Sequence, residues 1–137
     1  ALPPAAGNAA PGFDRILLDA PCSGLGVLRR NPDAKWASAK QNLDLFQKRQ
    51  IDMLAHLAPL LKTGGTLLYT VCSMEPEENE DVVQAFMQKH PGFIVEKDRE
   101  ALSDAVRPFV DGEGYFRTFP HIHNMDGFFS VRLKRIK

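Results

Sequence analysis

Two short apolar runs, separated by a long amphipathic stretch, most constrain the fold of this chain. The first run is residues 16–18, bounded by Asp19 and Pro21, and the second is "GTLLYTVCS" at residues 65–73, rich in β-branched and aromatic residues. Continuous apolar runs of this kind are typical of buried parallel strands. Parallel strands need a crossover connection, which is right-handed in nearly all proteins. The pattern therefore predicts a strand–helix–strand unit.

The stretch between these strands has helical periodicity from about Ser38. Apolar residues recur at spacings of mostly three and four, which gives a stripe that faces a core. They are Leu43, Phe46, Ile51, Leu54, Leu57 and Leu61. Pro59 is expected to disturb the last turn, and Gly64 and Gly65 are expected to end the helix. The crossover is therefore predicted as one long helix.

The second half of the chain continues this alternation and then changes to strands. Residues 74–92, "MEPEENEDVVQAFMQKHPG", are predicted as a helix, because acidic residues cluster at its N-terminal end and Pro-Gly follows it. Short strands are predicted at 93–97 and 115–119. The last strand, 127–136, alternates. Its core-facing residues are Phe129, Val131 and Leu133. The predicted fold class is α/β, with parallel strands closed by an antiparallel C-terminal strand.

Composition and charge are those of an ordinary globular domain. The 137 residues are 44% hydrophobic and 25% charged, and no apolar run approaches the length of a bilayer span. Seventeen basic and 17 acidic residues give zero net charge, so there is no global attraction to nucleic acid. Residues 28–50 hold six basic and two acidic residues, and residues 75–104 hold nine acidic and three basic. Such blocks are typical of solvated faces. Residues 1–12 are expected to be a flexible lead-in.

Each of the two cysteines follows one of the predicted strands. Cys22 lies three residues after Asp19, and Cys72 lies at the end of the second strand. Ligands of open α/β sheets bind outside the carboxyl ends of the strands, so neighbouring strands would bring both thiols into one crevice. Cys72 also precedes a predicted helix, whose N-terminal dipole would favour a thiolate. Inert buried cysteines are the competing interpretation. So few cysteines fit the reducing cytoplasm.

The remaining motifs give weaker indications. The loop "SGLG" lacks the third glycine of a dinucleotide-binding loop, and no other glycine pair in the chain is suited to cradle a phosphate. His121, His123 and Asp126 share one loop, but the cysteines or further carboxylates of a zinc site are missing there, so no metal is predicted. Residues 29–30 are arginines that could grip phosphate beside Trp36, which could stack on a base or anchor the following helix.

Taken together, the motifs resemble those of the Sun (Fmu) family of RNA cytosine-5 methyltransferases. The segments "DAPCSGLGVLRRNPDAKW", "LLKTGGTLLYTVCSMEPEENE" and "FPHIHNMDGFF" occur in the family's order, and the resemblance covers residues 13–134. It implies a Rossmann-like methyltransferase fold that uses S-adenosylmethionine. It also implies a flipped-out cytosine as the target, in RNA and specifically in ribosomal RNA.

The resemblance also implies roles for individual residues. Cys72 matches the family's nucleophile, and Cys22 matches its second cysteine, which is linked to release of the methylated RNA. Asp19 matches the acid that lies between the cofactor and the target base, and would contact both. These residue types suit covalent catalysis, because a thiolate that adds to carbon 6 of cytosine makes carbon 5 nucleophilic. The residues expected to contact the substrate are Pro21, Ser73, Arg30 and Lys35.

The chain departs from the family's pattern ahead of its first strand. The family's cofactor motif, a strand followed by a Pro-Gly-Gly-Lys type loop, is not found in residues 1–12. We therefore expect residues 13–137 to be the C-terminal half of a catalytic domain, without most of the S-adenosylmethionine site and inactive alone. Two other functions stay open. One is a thiol redox protein that uses Cys22 and Cys72, and the other is a non-catalytic RNA-binding module that uses residues 28–50.

Overall fold

The computed structural model describes residues 12–33 and 40–137. These ranges form a five-stranded sheet with two long helices and one short helix. The elements are β1 (Phe13–Asp19), α1 (Lys40–Leu57), β2 (Leu61–Val71), α2 (Glu80–Lys89), β3 (Phe93–Val95), β4 (Tyr115–Thr118), α3 (Pro120–His123) and β5 (Phe128–Arg135). The five strands and the two long helices follow the predicted order, but α3 was not predicted, because residues 120–123 were expected to belong to a loop. Among the described residues, no helix combines the length and the apolarity needed to cross a membrane.

The sheet has the order β1-β2-β5-β3, and β4 pairs with β5 as well. β1 and β2 run parallel, and Leu18 of β1 is paired with Tyr69 of β2. β5 runs antiparallel to β2, β3 and β4, so the other four strands share one direction and β5 alone opposes them. The predicted parallel strands closed by an antiparallel C-terminal strand are therefore confirmed. β5 lies between β2 and β3, a position the sequence pattern did not specify.

The hydrophobic core lies between one face of the sheet and the two long helices. Alternate residues of β2 and β5 point to this face, and apolar residues of α1 and α2 pack against them. The fully buried members are Leu61, Leu67, Tyr69 and Val71 of β2, Phe129, Val131 and Leu133 of β5, Leu54 of α1, and Val82, Val83 and Phe86 of α2. Burial of each large apolar side chain contributes roughly 1.5–3 kcal/mol. This core fixes the β1–β2 pair, and with it the loops that follow both strands.

The predicted end of the crossover helix is wrong. α1 ends at Leu57, and Ala58–Leu60 form a short 3₁₀ turn with Pro59 near its start. A proline cannot donate the backbone hydrogen bond that would continue an α-helix, so the chain leaves the helix there. Leu61 then begins β2 instead of continuing the helical stripe, and Gly64 (φ +83°) lies inside the irregular start of that strand.

Candidate active site at the ends of two parallel strands

The carboxyl ends of β1 and β2 lie side by side, and the loop after each strand carries one cysteine. Asp19 pairs with Thr70 in the register, and the Ala20 N–H donates to the Thr70 carbonyl at 3.0 Å. The loop that follows β1 therefore leaves the sheet beside the loop that follows β2. Strand pairing therefore places both loops at one edge of the sheet, because parallel neighbours end at the same edge.

The two thiols meet at this edge of the sheet. Cys22 Sγ and Cys72 Sγ are 3.0 Å apart, both residues are partly exposed, and both cysteines are free. Fifty residues separate them in the sequence, so the contact depends on the β1–β2 pairing and not on local structure. The structure thus brings together the two cysteines that the sequence placed at neighbouring strand ends.

The two thiols of the pair differ in pKa. A hydrogen bond from the Cys22 thiol lowers the pKa of Cys72 to about 7, against the opposing effects of burial and of the charges of Asp19 and Glu78. The same hydrogen bond, together with burial, raises the pKa of Cys22 far above its ordinary value. Near neutral pH, the lowered pKa makes Cys72 the thiol of the pair that ionises more readily, and the raised pKa keeps Cys22 protonated.

The prediction that a helix dipole stabilises the Cys72 thiolate is wrong. α2 begins only at Glu80, eight residues after Cys72, and a 3₁₀ turn at Pro76–Glu78 lies between them. The effect of a helix terminus falls off within one turn. The neighbouring thiol, and not the helix, is the largest cause that lowers the pKa of Cys72.

Asp19 ends β1, and Pro21 directly precedes Cys22 in the loop that follows. Both residues are exposed, and Asp19 is close enough for its charge to oppose the Cys72 thiolate. The backbone carbonyl of Pro21 accepts a hydrogen bond from the Gln50 side chain at 3.0 Å, which ties this loop to α1. An exposed carboxylate beside a thiolate gives the site two negative groups that can face a ligand.

A buried polar network lies beneath the cysteines, and sequence reasoning missed it. The carboxylate of Glu78, which is 0% exposed, accepts hydrogen bonds from the Ser23 N–H at 2.9 Å and from Gln50 Nε2 at 3.1 Å. Ser73, expected to contact the substrate, is also 0% exposed, and its hydroxyl accepts from the Glu75 N–H at 3.2 Å. The structure therefore gives the Ser73 side chain internal partners and no free surface.

Two glycines let the β1 loop approach the segment before β5. The Gly26 N–H donates to the Cys72 carbonyl at 3.0 Å, and the Gly127 N–H donates to the Gly26 carbonyl at 2.7 Å. A Cβ on Gly26 would lie 2.0 Å from the Gly127 oxygen, which no side chain can tolerate. These contacts bring the motifs "SGLG" and "MDGFF" together, with their backbones in close contact next to the Cys72 carbonyl.

The predicted substrate-contacting arginine lies at the rim of this region. Arg30 and Arg29 both bind Asp126 with nitrogen–oxygen distances of 2.8 Å, and the Arg30 side chain is 72% exposed. The Arg29 hydrogen bond, followed by the charges of both arginines, lowers the pKa of Asp126. The guanidinium of Arg30 is therefore anchored at one nitrogen and open to solvent on its other side. Lys35 and Trp36 lie outside the described residues.

The histidines near the end of the chain serve the local structure. His123 Nδ1 accepts a hydrogen bond from the Phe119 N–H at 2.9 Å, and its ring stacks with Phe119. In the part of the chain that the structure describes, no three His, Cys, Asp or Glu side chains are grouped to hold a metal ion. His121 and His123 lie on α3 and not in the predicted loop, and Asp126 follows α3 and pairs with the two arginines.

Comparison with known sequences assigns a family description to most of the chain. A family described as "16S rRNA methyltransferase RsmB/F" matches residues 5–134. A protein of Bacillus subtilis named "Probable ribosomal RNA small subunit methyltransferase B" is 44% identical over 124 residues, which are 90% of this chain and 28% of that protein. "Ribosomal RNA small subunit methyltransferase B" of Salmonella newport is 42% identical over 121 residues, 88% of this chain and 26% of that protein. The chain therefore spans about a quarter of these relatives' length.

Solved structures give the same result for the fold. The structure titled "Crystal Structure of PH0851" aligns with a TM-score of 0.78 and 36% identity, over 89% of this chain and 26% of that one. A structure titled as NSun6 from Pyrococcus horikoshii with SFG aligns with a TM-score of 0.71 and 30% identity, over 89% of this chain and 30% of that one.

Proposed function

This chain belongs to the RsmB/F family of 16S rRNA methyltransferases, and from that premise we propose that it carries the nucleophile for methylation of carbon 5 of a cytosine in ribosomal RNA. The observation that carries the proposal is the contact between the two sulfur atoms, 3.0 Å apart, with the pKa of Cys72 lowered to about 7. A thiolate at neutral pH is the group that covalent attack on a pyrimidine needs.

In the proposed first step, the Cys72 thiolate adds to carbon 6 of a flipped-out cytosine. Asp19, exposed at the end of β1, hydrogen-bonds ring nitrogen 3 and stabilises the enamine, so that carbon 5 becomes nucleophilic. Thiolate and carboxylate come from adjacent parallel strands, which fixes their separation before the base enters. When bound, S-adenosylmethionine supplies an electrophilic methyl group to carbon 5.

Cys22 is proposed to act after the methyl group is in place. Once Cys72 is a thioether, it no longer accepts the Cys22 proton as a thiolate, and the interaction that most raises the pKa of Cys22 is gone. Cys22 can then lose its proton to solvent and accept the proton from carbon 5. The carbon 5–hydrogen bond electrons restore the ring double bond, and the carbon 6–sulfur bond breaks to return the Cys72 thiolate. This order assigns Cys22 to product release.

The negative groups of this chain that would face a cofactor, Asp19 and the Cys72 thiolate, suit a cationic ligand. Asp19 is exposed at the end of β1, and its charge acts on a second negative group, the Cys72 thiolate. A sulfonium would be attracted to such a pair. A relative of known structure was determined with SFG, an S-adenosylmethionine analogue, which supports the same cofactor for this site. We propose Asp19 as the residue of this chain that contacts the cofactor.

We also propose that residues 13–137 are part of a larger catalytic domain and do not turn over alone. β1 is the outer strand of the described sheet, with Phe13 56% and Leu17 65% exposed. An unpaired strand edge with exposed apolar residues is typical of a surface that another element covers. Calorimetric titration of the 137-residue chain with S-adenosylmethionine is expected to show no micromolar binding. Micromolar binding would contradict this part of the proposal.

RNA is the proposed partner, and the cytoplasm, where unpaired thiols stay reduced, is the proposed compartment. Arg30 offers an exposed guanidinium for phosphate, and exposed Pro21 directly precedes Cys22. Lys35, which lies outside the described residues, is proposed as a further contact from its place in the sequence. Ser73, which is fully buried, is proposed to support the Cys72 loop from within. A non-catalytic RNA-binding role would leave methylation intact when Cys72 is replaced in the intact protein.

A second candidate, a dithiol redox protein, is favoured by one observation: the two sulfur atoms are close enough to form a disulfide with little movement. Mild oxidation with oxidised glutathione tests it. A redox function predicts a stable Cys22–Cys72 disulfide whose reduction potential matches a cellular thiol pool.

The experiment that tests the favoured function is nucleoside analysis of 16S rRNA incubated with S-adenosylmethionine and the intact protein that contains this chain. We expect 5-methylcytidine with the wild type and none with Cys72→Ala. A methyl group at any other position would contradict the proposed chemistry.

A further inference from the structure

The most unusual side chain outside the thiol pair is Glu78, in the 3₁₀ turn that follows the Cys72 loop. Its side chain is 0% exposed, although glutamate is almost never fully buried unless it is paired. Within the described residues it forms no ion pair with a basic side chain. Such a group persists in a fold only when hydrogen bonds replace the water that it lost.

Three donors from two other elements satisfy this carboxylate. Oε1 accepts from the Ser23 N–H at 2.9 Å and from Gln50 Nε2 at 3.1 Å, and Oε2 accepts from the Ser23 hydroxyl at 2.5 Å. Ser23 directly follows Cys22, and Gln50 lies on α1. One carboxylate therefore ties the Cys22 loop and the crossover helix to the segment that follows Cys72.

A chain of hydroxyl groups continues this connection back to the Cys72 loop. The Ser23 hydroxyl donates to Glu78, so the Ser73 hydroxyl, 3.4 Å away, is left to donate to Ser23 Oγ. Ser73 in turn accepts from the Glu75 N–H at 3.2 Å. Ser23 and Ser73 each directly follow a cysteine. The residues next to both thiols are thus held by one hydrogen-bonded unit that ends at Glu78.

We propose that Glu78 is a positioning residue that holds the two cysteine loops in register and thereby maintains the contact between Cys22 Sγ and Cys72 Sγ. The proposal rests on the proposed function only in giving this contact a catalytic purpose. Within the described residues Glu78 has no hydrogen bond to either thiol, and it acts through Ser23 and Ser73.

The charge of Glu78 and its positioning affect Cys72 in opposite directions, which makes the two roles separable. The negative charge of Glu78, like that of Asp19, raises the pKa of Cys72, whereas the hydrogen bond from Cys22 lowers it. Loss of the charge alone would lower the pKa of Cys72 further. Loss of the positioning would separate the thiols and raise the pKa of Cys72 toward or above its ordinary value of 9.0.

The test is the pH dependence of Cys72 alkylation by iodoacetamide in the 137-residue chain, followed by mass spectrometry that assigns the modified residue. Glu78→Gln keeps the shape but places an amide where a carboxylate accepted three hydrogen bonds. In this variant we expect the pH midpoint of Cys72 alkylation to rise from about 7 toward 9. The fraction of Cys72 present as thiolate at pH 7 should then fall by up to about 50-fold. Glu77→Gln is the matched control, since it removes the same charge one residue away, and we expect its midpoint to stay near 7.

An unchanged or lowered midpoint in Glu78→Gln, or an equal rise in Glu77→Gln, would overturn the proposal. If Glu78→Gln does not fold, Ser23→Ala replaces it, because that variant removes the hydroxyl link and keeps the backbone hydrogen bond to Glu78. Its midpoint is expected to rise by at least half a pH unit, and an unchanged midpoint would refute the positioning role. This readout needs no methyl transfer, so absence of 5-methylcytidine in the wild-type assay would count against the proposed function alone.

Discussion

Replacement of Cys22 by alanine gives the sharpest quantitative prediction for the thiol pair. In the wild type, with a pKa of about 7 for Cys72, about half of this thiol is ionised at pH 7. Cys22→Ala removes the hydrogen bond that lowers this pKa, while burial and the charges of Asp19 and Glu78 still raise it. The pKa of Cys72 should therefore move to about 9 or above, which leaves about 1% or less of Cys72 as thiolate at pH 7.

The expected rates follow from two opposing effects. The thiolate fraction at pH 7 falls about 50-fold, whereas the intrinsic nucleophilicity of a thiolate whose pKa is two units higher rises roughly 6- to 10-fold. Alkylation of Cys72 at pH 7 should thus slow by about 5- to 8-fold, and above pH 10 the variant should react faster than the wild type. The two pH–rate curves must cross.

The assay is iodoacetamide alkylation from pH 5 to pH 11, with mass spectrometry to confirm that Cys72 is the modified residue. Cys22→Ser is the matched control, because its hydroxyl keeps a donor beside Cys72, and its midpoint should lie between those of the wild type and Cys22→Ala. An unchanged midpoint in Cys22→Ala would refute the reasoning, since the Cys22 thiol would then not be the main cause of the low pKa.

Three further predictions concern the scaffold and the rim of the site. Gly26→Ala places a Cβ 2.0 Å from a backbone oxygen, so thermal unfolding should show a large loss of stability, whereas Gly112→Ala, with no atom within 4 Å of the new Cβ, should change it little. Leu67→Ala, at a fully buried position, should lower the free energy of unfolding in urea by about 2–5 kcal/mol. Leu45→Ala, at a position 58% exposed, should lower it by less than about 0.5 kcal/mol, and equal losses would contradict the described core. Arg30→Ala in the intact protein should weaken RNA binding and reduce the slope of log affinity against log salt by about one, with little effect on the melting temperature; an unchanged slope would remove Arg30 from the RNA contacts.

The main elements of the site could be predicted because they depend on periodicity and strand order. Apolar runs before Asp19 and Cys72 indicated two strands, and a helix between them required parallel pairing. The contact between the thiols follows from that pairing. The helix end was mispredicted because Leu61 fits a helical stripe as well as a strand, and only the structure shows that Pro59 decides between them.

The buried network around Glu78 could not be predicted, because the residues next to Glu78 in the sequence are also acidic. Glu78 lies in an acid-rich stretch with Glu75, Glu77 and Glu80, and such a block is typical of a solvated face. Only tertiary packing distinguishes Glu78, whose partner Ser23 is 55 residues away. One sequence signal was available: a serine directly follows each cysteine, a repetition that places two hydroxyls side by side once the strands pair.

The close contact between the Gly26 and Gly127 backbones could not be predicted, for a related reason. Gly26 and Gly127 are about a hundred residues apart, and each lies in a stretch that is typical of an ordinary turn. Neither glycine has a positive φ among the described residues, so backbone conformation does not require glycine at these sites. The requirement arises from the close approach of two backbones, which a single sequence does not encode in any local pattern.

The most direct test of the central claim, that Cys72 is the covalent nucleophile, is trapping with RNA that carries 5-fluorocytosine at the target position. Fluorine at carbon 5 blocks release, because no proton can be removed there after the methyl group is added. With the intact protein and S-adenosylmethionine, we predict an RNA–protein adduct that survives denaturation and maps to Cys72 by mass spectrometry. The adduct should persist in Cys22→Ala and be absent in Cys72→Ala. An adduct at Cys22, or one that survives in Cys72→Ala, would contradict the account.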